Sequence, residues 1–96
     1  MIVTMLQAQV AEERSSQLTE AFNEGSRSLP PPIRESFLIH ESETNTWRVF
    51  TVWESRDALD AYRQSVDTPG GVLMFRSVGA EPNLSIHEVA SHATHP

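Results

Sequence analysis

The stretch Trp47 to Ser65, WRVFTVWESRDALDAYRQS, sets the terms on which this chain can fold, because a strand dense in aromatic and β-branched residues runs without a linker into an amphipathic helix. Side chains alternate across a strand, so Trp47, Val49 and Trp53 point one way and Phe50 and Val52 the other. Both faces are apolar. Ser55 then suits an N-cap, Asp57 falls in the first turn, and Ala58, Leu59, Tyr62 and Val66 recur at helical spacing. A strand apolar on both faces needs cover on both. The chain's 96 residues make one domain with one core, too few for helical layers on both sides of a sheet.

The remaining elements follow in order. Ile2 to Val10 reads as an interior strand, with Ile2, Leu6, Ala8 and Val10 alternating with Val3 and Met5. From Ala11 to Leu29, residues Leu18, Ala21, Phe22 and Gly25 share one helical stripe, and Pro30, Pro31 and Pro32 stop the helix. Arg34 to Glu41 is a second strand, joined to the Trp47 strand by the polar turn Ser42 to Thr46. After the Ser55 helix, Thr68 and Pro69 suit the cap and first residue of a short helix that ends at Gly79. Leu84 to Val89 forms the last strand. Residues 1–90 are thus expected to form a single α+β domain, and 91–96 a flexible tail carrying His92 and His95.

The order β-α-β-β-α-(α)-β is a ferredoxin-like split βαβ arrangement, in which right-handed crossovers put the helices on one face of a four-stranded antiparallel sheet. The other face is expected to carry Ile2, Leu6, Val49 and Trp53, an apolar patch that a second copy would cover to give a homodimer.

Composition narrows the function. A formal charge of −6 with seven scattered arginines and no lysine offers no basic patch for nucleic acid or membrane and excludes Schiff-base chemistry on a side chain. Without cysteine there is no thiol nucleophile, disulfide or thiolate metal site. Neither a signal peptide nor a membrane span is read, so the cytoplasm is the expected location. No GxGxxG, P-loop, nucleophile elbow or HExxH motif occurs, so no nucleotide or catalytic metal is signalled. TPGG at Thr68 to Gly71 lacks the lysine of a phosphate loop and is read as a helix start.

The segment VWESRDALDAY, a strand ending in Trp-Glu-Ser followed by a helix that opens with an acidic residue, Ala and a bulky apolar, resembles the antibiotic-biosynthesis-monooxygenase-like proteins, which are dimeric α+β barrels. Nearly the whole chain shares the likeness. In members that oxidise polyketide phenols, the resemblance implies a substrate-orienting strand tryptophan, matched by Trp53. A pocket asparagine falls at Val49 and a tyrosine at Leu59, with Tyr62 one turn further along. A second-strand histidine resembles His40, and Arg76 is the nearest candidate for a pocket arginine. In the heme-degrading branch the first-strand asparagine falls at Leu6, the helix tryptophan at Tyr62, and no histidine lies between Ala58 and Ala80, so heme cleavage is not expected.

The chemistry expected is therefore cofactor-independent monooxygenation of a small phenol or quinol. Its anion can itself give an electron to O₂, leaving the protein to deprotonate, orient and exclude water. His40 would be the base, Trp53 the aromatic wall and Tyr62 a hydrogen-bond donor. Leu6, Val49, Leu59, Arg76 and His87 would line the substrate space. His40 and His87 lie on opposite sheet edges and could meet only across a dimer. The alternatives are a non-catalytic small-molecule-binding or accessory protein on the same scaffold, favoured by the apolar Val49 and Leu59, or a cofactor-free isomerase with His40 as proton shuttle.

Overall fold

The structure is a computed structural model that describes all 96 residues. Its elements are β1 (Ile2–Gln9), a 3₁₀ turn (Glu12–Arg14), α1 (Ser15–Ser26), β2 (Ile33–Glu41), β3 (Thr46–Trp53), α2 (Arg56–Ser65), α3 (Gly70–Ser77) and β4 (Asn83–Glu88). The strands form one antiparallel sheet in the order β2-β3-β1-β4. β1 and β2 are thus parallel across β3, and β3 and β4 parallel across β1, the split βαβ pattern of a ferredoxin-like α+β fold.

Local chemistry explains the boundaries. The Ser55 hydroxyl accepts from the Ala58 N–H at 3.1 Å, capping α2 as its sequence predicts. α1 ends at Ser26, three residues before the expected Leu29, because the Arg27 and Ser28 N–H groups turn back to the carbonyls of Glu24 and Gly25. At α3 the expected capping shifts by one. The Pro69 carbonyl, on extended backbone, receives the N–H groups of Val72 and Leu73, so Pro69 is the N-cap and Thr68 caps nothing. Gly79, at φ 78°, closes α3: its N–H bonds Arg76 O and that of Ala80 bonds Phe75 O, a pairing that needs a left-handed residue.

The strand register decides which residues share a face. Ile2, Thr4, Leu6 and Ala8 stand opposite Trp53, Thr51, Val49 and Trp47. This face lies under the helices, with Leu6, Ala8, Trp47 and Val49 packed against Leu18 of α1 and Phe75 of α3 in one core. The expectation that Ile2, Leu6, Val49 and Trp53 share a side holds, but the side is the covered one. Alternation tells which residues go together and not which set the crossovers cover. The uncovered face carries Val3, Met5, Phe50 and Val52 at its centre and Phe37 and Ile39, 47% and 44% exposed, on β2. A bulge between Ile33 and Glu35 inserts Arg34, which turns Ile33 from the uncovered face onto the covered one, opposite Trp53. No helix is long and apolar enough to cross a membrane.

Candidate functional site

The covered face is not filled along its whole length. Where β3 ends, a chamber of ≈ 100 Å³ opens between the sheet and the α2–α3 segment. Its floor is Thr4 and Leu6 of β1, Val49, Thr51 and Trp53 of β3, Ile33 at the bulge and Leu84 of β4. Its roof is Leu59 and Tyr62 of α2 with Pro69, Gly71 and Val72, and Arg63 stands on its rim. A second space of ≈ 310 Å³ under α1 shares Ile33, Val49, Thr51, Tyr62 and Gly71 with the first and adds Phe22, Ser36 and Met74, so the two adjoin across Tyr62 and Gly71.

Two aromatic rings and a set of hydroxyls define the chamber. Trp53 is buried, and its ring centroid lies 5.2 Å from that of Tyr62 at 45°. The Trp53 Nε1–H donates to Thr4 Oγ1 at 3.0 Å. The Tyr62 hydroxyl accepts from the Gly70 N–H at 3.1 Å, which ties α2 to the start of α3. Ser36 and Thr51 share a hydrogen bond of 3.1 Å between neighbouring strands. Gly71 lets α3 start directly on the sheet: a Cβ there would come within 2.6 Å of Leu6 Cδ1. The TPGG segment is thus a close-approach device.

Of the residues singled out in the sequence, Leu6, Val49, Trp53, Leu59 and Tyr62 are brought together on this chamber. Three are not. His40 stacks on Trp47 at the far end of β3, with centroids 4.0 Å apart at 12°, and its Nε2 lies 3.4 Å from Asn45 Oδ1. Six residue steps along the strand, about 20 Å, separate that stack from Trp53. His87 sits opposite Val3 on the uncovered face, with Nε2 2.8 Å from Ser85 Oγ. Arg76 forms a two-pronged ion pair with Glu81 at 2.9 and 2.8 Å, which raises the arginine's pKa and holds the Glu81 carboxyl below the usual carboxylate range. His40 and His87 thus lie on opposite edges and also on opposite faces.

Sequence reasoning missed Thr4, Ile33, Thr51 and Arg63. A signal for two of them was available: Thr4 and Thr51 are hydroxyls set into the otherwise apolar alternations Ile2-Leu6-Ala8 and Trp47-Val49-Trp53. Ile33 was hidden by the bulge. No group of three His, Asp or Glu side chains is placed to hold a metal ion.

No curated protein matches the chain in sequence. Solved structures match its fold over nearly its full length. A Deinococcus radiodurans protein assigned provisionally to the antibiotic biosynthesis monooxygenases is similar with a TM-score of 0.73 at 8% identity, covering 100% of this chain and 99% of its own. SnoaB, a cofactor-independent oxygenase from Streptomyces nogalater solved as a single-residue variant, gives 0.72 at 12% identity over 98% and 97%. A variant of MhuD with two manganese protoporphyrins per active site gives 0.75 at 16% over 99% and 100%. At these identities the likeness is one of fold. The sequence profile of the family described as antibiotic biosynthesis monooxygenase matches residues 1–68, most of the chain and every strand and helix up to α2, and the chain belongs to that family.

Proposed function

We propose that this protein is a cofactor-independent monooxygenase that takes a small, flat phenol or quinol into the chamber that Trp53 and Tyr62 border. The observation that carries this reading is the chamber itself: a half-open apolar space bordered by two aromatic rings with a few hydroxyl groups at its surface suits an electron-rich aromatic ring with one or two oxygens. In a cofactor-free monooxygenation of such a ring, one atom of O₂ would enter as a carbonyl oxygen and the other would leave as water. The four electrons come from the substrate's own C–H and O–H bonds, so no external reductant is required. The residues would bind, orient and exclude bulk water.

His40 takes no part in this reading, since it lies outside the chamber. No imidazole lines either space, so neither offers histidine as an axial ligand for porphyrin iron, and the heme chemistry of the family's other branch finds no such support here. The absence of an imidazole or carboxylate on the walls also favours a second reading, a binding protein without turnover. An oxygen electrode separates the two. With a panel of quinols and anthrones, substrate-dependent O₂ uptake that leaves the protein colourless supports oxygenation, and binding without O₂ uptake supports the alternative.

The assembly belongs to the same proposal. Val3, Met5, Phe37, Ile39, Phe50 and Val52 make one continuous apolar surface on the uncovered face, and a second copy would bury it sheet against sheet. Sedimentation at micromolar concentration should give about twice 10.8 kDa. Phe50→Asp should yield a monomer, and a wild-type chain that sediments as a stable monomer contradicts the assembly.

A further inference from the structure

We infer that the chamber is built to hold its ligand as an anion, with the hydroxyls of Thr4 and Tyr62 as the hydrogen-bond donors its walls offer to negatively charged oxygen. The inference rests on the aromatic-substrate reading above and adds the ionisation state that the site selects. An indole N–H can only donate, so in the Trp53–Thr4 bond the threonine oxygen must accept. A backbone N–H can only donate, so the Tyr62 oxygen accepts from Gly70. Each hydroxyl keeps its own hydrogen, and neither hydrogen has a protein acceptor. Both groups lie on the chamber wall. Accepting one hydrogen bond also polarises a hydroxyl toward stronger donation. Trp53 is then a positioning residue: it does not offer its N–H to the ligand but spends it on orienting Thr4.

The charges agree. Of the seven arginines, Arg27, Arg34, Arg48, Arg56 and Arg76 face carboxylates and Arg14 bonds Gln17 and the Ser77 carbonyl. Arg63 alone has no hydrogen-bond or ion-pair partner, and Arg63 is the one on the chamber rim. In a chain of net charge −6, a free guanidinium at the mouth of an apolar chamber is the feature that would draw in an anion. No element around the chamber brings a counter-charge to it. β1, β2, β3, β4 and the start of α3 present only uncharged residues to it, and α2 presents Tyr62 and Arg63. Donors and a cation without a carboxylate or imidazole make a site that receives a proton-free oxygen; they do not make one that removes the proton.

The test is the affinity of 4-nitrophenol, which ionises near neutrality, beside that of its methyl ether 4-nitroanisole, which cannot ionise, measured by titration calorimetry across pH on the full chain. Affinity for the phenol should rise with pH through the probe's own ionisation and then level off, while that for the ether stays flat. A phenol that ionises at higher pH should carry the rise upward with it. The phenolate should bind about a hundredfold more tightly than the ether, about tenfold for each of two hydrogen bonds to a charged group. Tyr62→Phe and Thr4→Val should each cut that ratio by about tenfold, Thr4→Ser should restore it, and Arg63→Gln should lower it and weaken its salt dependence. Trp53→Phe should lower the phenolate-to-ether ratio whatever it does to the two affinities together, whereas a merely structural role would weaken both ligands alike and leave the ratio unchanged. If the ether binds as well as the phenolate, or if the rise in affinity stays at one pH for probes of different acidity, the anion inference is wrong and the aromatic chamber still stands. If neither probe binds, both fail. Should Thr4→Val not fold, Thr4→Ser and Tyr62→Phe decide alone.

Discussion

The two ends of β3 make a controlled comparison, because each carries a tryptophan on the same covered face of the same strand. At the Trp47 end, the ring belongs to one buried core with Ala8, Leu18, Phe75, Val78 and Ala80, and Leu18 and Phe75 are the largest fully buried side chains in the molecule. The Trp47 Nε1–H is buried there without a partner. At the Trp53 end the same ring type borders a chamber, and its N–H is paired with Thr4. Strand position and residue type are thus insufficient to make a site. What differs is the roof: two interior side chains from α1 and α3 fill one end, whereas at the other Gly71 and the Tyr62–Gly70 bond hold α2 and α3 over an unfilled floor.

The largest effect should come from emptying the filled end. Phe75→Ala removes a fully buried ring that touches both layers, and the cost should be about 3–5 kcal/mol in urea unfolding. Val72→Ala, one helical turn earlier and bordering existing space, should cost roughly 1 kcal/mol or less. Equal losses at the two positions would mean that the chamber end is packed as tightly as the core, and the comparison would collapse.

Filling the hollow end should come next. Gly71→Ala drives a methyl to within 2.6 Å of Leu6 Cδ1, so α3 or the Leu6 side chain has to move. Overpacking of this kind costs on the order of 1–3 kcal/mol. The movement would reshape both spaces at once, since Gly71 lines each of them, and aromatic ligand affinity should fall together with stability. A Gly71→Ala protein with wild-type stability and affinity would show that the close approach has no role in shaping the chamber.

How far the sequence disclosed all this follows from the same contrast. The fold was legible because alternation, the Ser55 cap, the proline run and the Gly79 stop each act over a few residues, and all of them agree on one topology. Leu6, Val49 and Trp53 were legible as one set because the strand period puts them on one side, and Leu59 and Tyr62 were joined to them only by the family resemblance. The direction of that side was not, since a strand apolar on both faces looks alike from either. His40 misled for a related reason: it shares the face of Trp53, but a shared face says nothing of position along the strand, and the helices cover that face unevenly. Arg76 misled because its partner Glu81 lies beyond the helix end and is recognisable only in three dimensions. Ile33 needed the bulge, a one-residue change of register that no hydrophobic pattern announces.

The finest distinction between the two tryptophans is whether the indole N–H does anything, and a double-mutant cycle isolates it. Thr4→Val keeps the side chain's shape but takes away the only acceptor of the Trp53 N–H, stranding a buried donor at a cost of about 1–3 kcal/mol. In a Trp53→Phe background there is no donor left to strand, so the same Thr4→Val change should cost little or even stabilise, as an apolar group replaces a hydroxyl that has lost its partner. The coupling between the two positions should therefore be about 1 kcal/mol. Trp47→Phe provides the control. The Trp47 N–H has no acceptor to lose, so this change and Thr4→Val should add within about 0.5 kcal/mol. Measured by urea denaturation of the singles and both doubles, coupling at Trp53 with additivity at Trp47 would separate a tryptophan that orients a neighbour from one that only fills space. Additivity at both would reduce Trp53 to a second packing residue and take away the reason for Thr4 to hold its hydrogen toward a ligand.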